Sequence, residues 1–393
     1  MNGTIYMPVG EVCSSISDTY REKKNMVTLI NTSDVLEGRV LNHERVPNSN
    51  LKGQFKKTFQ RDDILYSEIR PQNRRFAYVD FSPIDYIAST KLMVIRAKKD
   101  VVSPKYLYYF LKNSSTVAEL QLLAETRSGT FPQITFSEVA NLTIPVPSLA
   151  VQEVIVQTMQ CLEDKITCNE QINDNLEQQA QSYFQELFVD NADPEWAIGT
   201  ISDLGTVVGG STPSKAKPEY YTESGIAWIT PKDLSINKSK FVSHGENDIT
   251  ELGLKNSSAA IMPEGTVLFS SRAPIGYIAI AAGEVTTNQS FKSVVPKPEI
   301  GTPFVYFFLK NTLPVIEGMA SGSTFKEVSG STMKNVPAVI PDAETLAKFS
   351  DFCAPIFAQQ RILEEQNQSL ATLRDNLLPK LMSGEIDVSA VQL

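Results

Sequence analysis

Two stretches of the chain carry large apolar residues at intervals of seven. The first series is Ile155, Leu162, Asn169, Leu176 and Tyr183, and the second is Phe349, Ile356, Leu363, Leu370 and Leu377. A sustained seven-residue apolar period predicts long helices that pack as a coiled coil. We therefore predict spacer helices over residues 148–190 and 342–384, with Asn173 and Asn367 at equivalent positions of the seam.

Shorter apolar runs precede each of these stretches, in the same order both times. Runs rich in β-branched and aromatic residues predict strands. They lie at residues 63–67, 76–80 and 92–95, and again at residues 266–270, 277–280 and 291–295. A helix is predicted over residues 104–124 and another from Pro303. We expect Pro314 to break or kink that helix, and Pro355 to mark the start of the second long helix, because proline suits a first turn but not a helix interior.

The repetition extends to the residues themselves. The run from Tyr106 to Asn113 returns from Phe304 to Asn311, and from Asn141 onward the two copies stay 194 residues apart. Such self-similarity indicates one structural unit written twice. The sequence predicts an α+β fold with two similar mixed α/β domains, at residues 1–147 and 195–341. The two long helices are expected to pair antiparallel in a pseudo-twofold arrangement. A parallel homodimer through one heptad segment stays open as an alternative.

The distribution of charge changes the meaning of the net charge of −9. Residues 1–147 carry 19 Lys and Arg against 15 Asp and Glu, whereas residues 148–193 carry 1 against 9. The second domain is close to neutral and residues 342–393 carry 4 against 8. The excess acid therefore belongs to the heptad segments, and the globular domains are able to present basic surface to a nucleic acid.

The sequence contains no recognisable catalytic motif. His43 and His244 are the only histidines, and neither stands near a serine or cysteine in a nucleophile arrangement. A phosphate-binding loop and an adenine-methyltransferase signature are both absent from the printed sequence. The four cysteines show no CxxC spacing, so we expect no metal site. The chain has neither a signal-peptide pattern nor an apolar run long enough to cross a bilayer, which predicts a cytoplasmic, non-catalytic protein.

Two arginines beside prolines stand out as candidate ligand-binding residues. Arg70-Pro71 and the run Arg272-Ala273-Pro274 each follow a predicted strand. A guanidinium at such a bend can read guanine through two hydrogen bonds or clamp a phosphate. The amide-rich run 287–292 suits adenine edges, and a lysine at its end is placed for phosphate. The competing interpretation, arginines in ordinary surface loops, stays open at this point.

Several further motifs make the chain resemble the DNA-specificity subunit of Type I restriction–modification enzymes. The second half carries Gly-Gly-Ser-Thr-Pro-Ser-Lys at 209–215, Trp-Ile-Thr-Pro-Lys-Asp-Leu at 228–234, Ser-Ser-Arg-Ala-Pro-Ile-Gly at 270–276, Thr-Thr-Asn-Gln-Ser-Phe-Lys at 286–292 and Ser-Gly-Ser-Thr-Phe at 321–325. The first half departs from this pattern, because residues 31–36 replace the tryptophan-containing run and the Gly-Gly-Ser-Thr-Pro turn is absent. The first domain is therefore expected to read a different base sequence.

The resemblance implies two target-recognition domains, each reading one half of a split, asymmetric site on double-stranded DNA. It also implies a spacer that docks two methyltransferase subunits, which bind S-adenosylmethionine, and separate restriction subunits that use ATP and Mg²⁺. No cofactor is expected in this chain. The candidate DNA-binding residues are Lys56, Lys57, Arg70, Arg74, Arg75, Lys91, Thr130, Thr212, Ser214, Lys215, Lys217, Lys232, Ser271, Arg272, Asn288, Gln289, Lys292 and Thr324. The candidate interface residues on the helices are Leu162, Ile166, Asn173, Leu176, Leu363, Asn367, Leu370 and Leu377.

A different class of function fits the same repetition. A coiled-coil adaptor that joins two proteins would also present duplicated surfaces and need no active site. The two hypotheses differ at Arg70 and Arg272, because only the DNA-binding hypothesis requires cations there.

Overall fold

A computed structural model describes residues 4–22, 24–49, 53–127, 131–272, 274–322 and 326–388. The chain divides into two compact units, the first formed by Met1–Ile166 with Ser369–Leu393 and the second by Thr167–Gln368. Each unit thus combines one globular part with a section of both long helices. The mixed α+β class predicted from the sequence is confirmed.

The globular part of the first unit contains twelve strands among its described residues. They are β1 (Ile5–Pro8), β2 (Cys13–Ile16), β3 (Met26–Ile30), β4 (Val35–Leu36), β5 (Arg39–Val40), β6 (Val46–Pro47), β7 (Phe55–Lys57), β8 (Ile64–Ser67), β9 (Phe76–Tyr78), β10 (Tyr86–Ser89), β11 (Leu92–Ala97) and β12 (Thr143–Val146). The helices are α1 (Val9–Val12), α2 (Pro104–Lys112), α3 (Ser114–Arg127), α4 (Phe136–Asn141) and the long α5 (Leu149–Gln185), which a π-helical turn extends over Glu186–Asp190.

The second unit repeats this order. Its strands are β13 (Ala197–Thr200), β14 (Gly205–Gly209), β15 (Tyr221–Thr222), β16 (Ile226–Ile229), β17 (Phe241–Val242), β18 (Asn247–Ile249), β19 (Val267–Ser271), β20 (Ile275–Ala281), β21 (Thr286–Thr287), β22 (Lys292–Pro296) and β23 (Pro337–Ile340). Its helices are α6 (Ile201–Leu204), α7 (Pro231–Ile236), α8 (Glu251–Lys255), α9 (Thr302–Gly318), α10 (Gly330–Lys334) and the long α11 (Ala343–Ser383).

The sheets show that the two units share a topology. The order β2-β11-β8-β9 in the first unit matches β14-β22-β19-β20 in the second, and the pair β1-β12 matches β13-β23. The parallel pair of β3 with β10 likewise matches β16 with β21. The strands predicted from the sequence are found within these sheets.

The central strand of each main sheet is buried on both faces. Residues alternate between the faces of a strand, so neighbouring side chains enter different cores. In β8, Ile64 and Tyr66 join the core beneath the helices, whereas Leu65 joins the core against the second sheet. In β19, Val267 and Phe269 likewise join the core beneath the helices, whereas Leu268 joins the core against the second sheet. Both units are therefore layered, with a main sheet between helices and a second sheet.

The long helices run antiparallel where they pair in the second unit. Asn169 Nδ2 donates to Asn367 Oδ1 at 2.8 Å, and the Tyr183 ring lies 4.5 Å from that of Phe352. Residues that come later in α5 contact residues that come earlier in α11, so the two helices run in opposite directions. The seam pairs Asn367 with Asn169, and the backbone carbonyl of Asn173 accepts from Gln360 Nε2 at 3.2 Å.

The expected start of the second long helix at Pro355 and the expected break at Pro314 are both wrong, whereas a kink at Pro314 stays a prediction. Pro355 lies inside α11 and Pro314 lies inside α9, and both helices continue through them. A proline frees the carbonyl four residues earlier. Pro355 and Asp351, the residue whose carbonyl is freed, are both exposed, so water can satisfy that carbonyl. Burial of apolar side chains on both sides of Pro355 holds α11 together despite a cost of about 3 kcal/mol for an interior proline.

The predicted helix over residues 104–124 is in fact two helices. The chain leaves α2 at Asn113, whose backbone conformation is no longer helical, and α3 begins at Ser114. The Asn113 side chain then accepts a hydrogen bond from the Ser115 backbone at 3.2 Å. Asparagine favours such local bonds over a continuing helix, which accounts for the break.

A buried polar cluster ties the globular part of the second unit to its helices. Lys240 Nζ, with a side chain only 6% exposed, donates to Glu177 at 2.6 Å and to Gln360 at 2.8 Å. Lys310 reaches the same carboxylate at 2.6 Å. Burial lowers the pKa of Lys240 to about 8. Burial alone would raise the pKa of Glu177, but Lys240 and Lys310 outweigh it and hold that pKa below its usual value.

We predict that Glu177→Gln lowers the free energy of unfolding of the second unit by about 3 kcal/mol at pH 7, because it leaves two cations with no carboxylate. A carboxyl with a depressed pKa stabilises the fold above its unfolded pKa, and this contribution is lost as the pH falls through the folded pKa. The difference between the wild type and the variant should therefore shrink below about pH 4.5.

Urea unfolding of the full chain at pH 7 and pH 4 measures this effect. Tryptophan fluorescence reports the second unit alone, because the only tryptophans are Trp196 and Trp228. Asp174→Asn is the matched control, since Asp174 is an exposed acid on the same helix. Equal midpoints for Glu177→Gln and wild type at pH 7 would contradict the prediction.

Candidate nucleic-acid interface

Three segments of the second unit meet at the end of β19. We call residues 270–272, 287–292 and 326–328 the second junction. The Ser271 backbone N–H donates to the Ser290 carbonyl at 2.7 Å, and the Val328 N–H donates to the Ser271 carbonyl at 2.9 Å. Backbone hydrogen bonds thus fix the three segments side by side, although they are distant in the sequence.

The two predicted cations of this region share the second junction. Arg272 Nε donates to Ser290 Oγ at 3.0 Å, and its Nη1 lies 3.6 Å from a Glu327 carboxylate oxygen. Lys292 Nζ donates to the carbonyl of Gln289 at 3.2 Å and lies 3.9 Å from Glu327. Burial lowers the pKa of Lys292, and the neighbouring Arg272 lowers it further, whereas Glu327 raises it.

The glycine-rich loop packs directly against the same turn. A Cβ added to Gly210 would lie 2.0 Å from the Asn288 carbonyl oxygen, so this backbone approach requires glycine. The Ser211 N–H donates to the Thr287 carbonyl at 2.9 Å, and the hydroxyl of Thr212 donates to Gln289 Oε1. The predicted residues Thr212, Asn288 and Gln289 therefore lie together with Arg272 and Lys292.

Aromatic residues hold the outer part of this loop. Trp228 Nε1 donates to the Ser211 carbonyl at 3.0 Å, and the Tyr221 hydroxyl donates to the Pro213 carbonyl at 2.6 Å. The remaining predicted residues on the loop, Ser214, Lys215 and Lys217, are exposed. They can meet a phosphate backbone without rearrangement of the loop.

Two predicted residues of the second unit are placed differently. Ser271 is fully buried and its hydroxyl donates to the Ser290 carbonyl at 3.0 Å, so it supports the turn from beneath. Lys232 is exposed at the first turn of α7, where it pairs with Glu246 at 2.5 Å. Thr324 lies outside the described residues.

The first unit forms an equivalent junction from residues 67–70, 89–92 and 132–134. The Glu68 N–H donates to the Lys91 carbonyl at 3.0 Å, and the Ile134 N–H donates to the Glu68 carbonyl at 2.9 Å. Lys91 Nζ lies 3.3 Å from the Glu68 carboxylate and donates to Gln133 Oε1 at 3.1 Å. This first junction repeats the backbone pattern of the second with other side chains.

Arg70 is exposed at the rim of the first junction. Its backbone is left-handed, with φ at 45°, and its N–H donates to the Pro132 carbonyl at 3.1 Å. A left-handed conformation is uncommon for arginine, and such strain clusters at functional sites. The structure therefore brings Arg70 and Lys91 to the same short segment, residues 132–134.

Other predicted residues of the first unit have partners within the fold. Lys57 Nζ donates to the carbonyls of Thr90 and Leu92, at 3.1 and 2.8 Å, and burial lowers its pKa. Arg74 pairs with Glu37 at 3.3 Å, and Arg75 donates to the Ser33 carbonyl at 2.9 Å. Lys56 is exposed, and Thr130 lies outside the described residues.

The candidate interface residues of the long helices are buried to differing degrees. Leu162 and Leu377 pack against the first unit's core, and Leu176 packs against the second unit's core. Leu363 is buried as well. The other four are half-buried: Ile166, Asn173, Asn367 and Leu370.

Sequence reasoning did not single out Glu327, Gln133 or Glu68, although each contacts a predicted cation. Gln133 and Glu327 each lie eight residues before the Asn141–Asn335 pair, so the 194-residue offset, extended back to them, equates the two. Each is also joined by a β-bridge to the segment that follows its strand, at Ile69 and Arg272 respectively. The offset was therefore the signal from which this equivalence could have been found.

Neither a metal-binding cluster nor a membrane-spanning helix is found within the described ranges. Those residues hold no cluster of three or more His, Cys, Asp or Glu side chains that could bind a metal ion. None of their helices is both long and apolar enough to cross a membrane.

A family model settles the wider relationship of the chain. The model described as the Type I restriction modification DNA specificity domain matches residues 6–178 and again residues 194–373. The chain belongs to this family. The two matches follow the duplication read from the sequence, one specificity domain for each copy.

Named relatives of the specificity family agree with this assignment. The chain is 29% identical over 435 residues to the Type I restriction enzyme HindI specificity subunit of Haemophilus influenzae, which covers 92% of this chain and 94% of that protein. It is 38% identical over 194 residues to the MjaIX specificity subunit of Methanocaldococcus jannaschii, covering 47% of this chain and 45% of that protein.

A solved structure shows the same fold. The S subunit of a Type-I restriction-modification system from M. genitalium aligns over 97% of both chains, with a TM-score of 0.56 and 17% identity. The paired specificity-domain fold is therefore shared along almost the whole length.

We predict that Gly210→Ala destabilises the second unit by about 1–3 kcal/mol, because the added methyl group meets two backbone carbonyl oxygens that cannot easily move. The loop should detach from the 287–289 turn. Gly209→Ala is the matched control, since its added Cβ would have no neighbour within 4 Å.

Thermal unfolding followed by tryptophan fluorescence measures the difference. Trp228 bonds the displaced loop directly, so its emission should also shift in the folded state. Equal melting temperatures for the two variants would refute the packing argument.

Proposed function

We propose that this chain is the sequence-specific DNA-binding subunit of a Type I restriction–modification enzyme, and that it recognises a split, asymmetric site on double-stranded DNA. The observation that carries the proposal is the repeated junction. In both units three backbone segments converge, and each junction holds at least one cation beside flexible polar side chains. Cations of this kind supply the phosphate contacts that position a protein on DNA.

The difference between the junctions supports asymmetry of the site. At equivalent positions the first unit has Ile69 and Gln133 where the second has Arg272 and Glu327. Arginine favours guanine in the major groove, whereas an apolar side chain favours the thymine methyl group. Two domains with one backbone and different side chains should therefore read two different half-sites.

The chain is further proposed to act without catalysis of its own. Two methyltransferase subunits carrying S-adenosylmethionine would dock on the long helices, and restriction subunits using ATP and Mg²⁺ would complete the enzyme. Ile172 and Ile362 support this assignment, because they are 38% and 46% exposed on the helices of the second unit. A docked partner that covered both side chains would remove apolar surface from water, which favours binding.

We expect exchange of residues 1–147 for the corresponding domain of another specificity subunit to change one half of the recognised site only. The physical reason is that each unit has its own junction and its own core. The measurement is methylome sequencing of a host that expresses the hybrid with its methyltransferase. The unexchanged protein is the control, and a change in both halves or in neither would count against modular recognition.

We expect Arg272→Ala to weaken binding of the full chain to duplex DNA. The slope of log K against log salt concentration should also become shallower by about 1, because one phosphate contact is lost. Fluorescence anisotropy with a 40-base-pair duplex of random sequence, at several salt concentrations, provides the measurement. Lys348→Ala, which removes one exposed cation from α11, is the matched control. Undiminished binding by both Arg272→Ala and Arg70→Ala would favour the adaptor function instead.

A further inference from the structure

Glu327 lies beside the predicted cations of the second junction. Its carboxylate faces Arg272 at 3.6 Å and Lys292 at 3.9 Å. Both cations belong to the second junction, and DNA binding is proposed to depend on them. The side chain is 40% exposed, so the contact is open to exchange with a ligand from solution.

The backbone holds Glu327 at this place. Its N–H donates to the Ser321 carbonyl at 2.8 Å, and its carbonyl accepts from the Ser321 N–H at 3.0 Å. The next residue, Val328, is fully buried and bonds Ser271. The backbone that carries the carboxylate is therefore held beside the cations.

The ion pairs themselves are loose. Charge-assisted N–H···O bonds in proteins are typically about 2.7–2.9 Å long, whereas both contacts of Glu327 are longer. Long, partly exposed ion pairs of this kind add little to stability. The fold therefore gains little from Glu327, and the pair can open without unfolding the junction.

The first junction also has a carboxylate next to a lysine, but this carboxylate comes from a different segment of the junction than Glu327 does. Glu68 lies 3.3 Å from Lys91, and the position equivalent to Glu327 is the neutral Gln133, which Lys91 also contacts. Both junctions therefore combine cations with one carboxylate, although the sequence places the acid differently. A shared electrostatic arrangement reached through different positions points to a function in ligand binding.

We propose that Glu327, and Glu68 in the first unit, are specificity-determining residues that occupy the junction cations in the free protein and must be displaced by DNA phosphate. The inference rests on the proposed function. Phosphate and carboxylate oxygens compete for the same guanidinium and ammonium groups. DNA with the correct sequence forms base contacts that offset the loss of the internal ion pair, whereas DNA of other sequence does not. The carboxylate therefore lowers the affinity for all DNA but increases the preference for the correct sequence.

Replacement of Glu327 by glutamine tests the proposal. The full chain is mixed with a pool of 40-base-pair duplexes of random sequence at low salt, and the retained DNA is quantified and sequenced. We expect Glu327→Gln to retain the unselected pool about twofold to fivefold more tightly, on the scale of one exposed charge interaction. The recovered sequences should become more degenerate in one half-site and stay unchanged in the other.

Glu299→Gln is the matched control, since it removes one exposed negative charge from the same unit, on the turn that follows β22. A further set of variants combines Glu327→Gln with Arg272→Ala and Lys292→Ala. The gain in affinity should disappear in that background, because groups in contact are not additive in a mutant cycle.

The outcomes separate this inference from the proposed function. Weaker binding on Arg272→Ala together with no gain on Glu327→Gln would overturn the inference and leave the DNA-binding function intact. A loss of binding on Glu327→Gln, with a new base preference, would also overturn it and would make Glu327 a direct base contact. No change on replacing either cation would instead remove the junction from the proposed interface.

Discussion

The antiparallel pairing of the two long helices is the constraint on which both units depend. Neither globular part completes its core with neighbouring sequence alone. In the first unit Val156 and Met159 share a core with Leu381 and Met382, which lie more than two hundred residues later in the chain. In the second unit Phe184 of α5 packs against Phe349 of α11. Since apolar burial dominates folding, each unit requires both helices to be in place.

The placement of charge follows from that construction. The heptad segments hold most of the excess acid, and part of it pairs with cations inside the units: Glu177 pairs with Lys240 and Lys310, and in the first unit Glu163 pairs with Lys112. Buried cations are tolerated only when a carboxylate or hydrogen bonds replace the lost hydration. Not every acidic side chain of the helices would therefore repel DNA, because some already form ion pairs with lysines of the globular parts.

Periodicity and repetition determined most of the architecture in advance. The seven-residue series predicted both long helices, and the 194-residue offset predicted that the units would share a topology. Proline positions were misleading, because intrinsic helix propensity is weaker than tertiary packing. Pro355 is retained within α11 since its neighbours Ile356 and Phe357 are buried in the core. Heptad spacing placed Asn173 and Asn367 at equivalent positions but did not say which polar residues face one another, and the structure pairs Asn367 with Asn169.

The sequence by itself determined that the chain is a duplicated α+β protein with specificity-family motifs and the residue types suited to DNA. Only the tertiary structure decided which of those residues share a surface. Arg272, Lys292 and Glu327 meet because backbone hydrogen bonds align three distant segments, whereas Arg75 and Lys57 are drawn into contacts with nearby carbonyls. Local patterns report which residues favour a strand or a helix, but convergence depends on long-range pairing that no short stretch of sequence encodes.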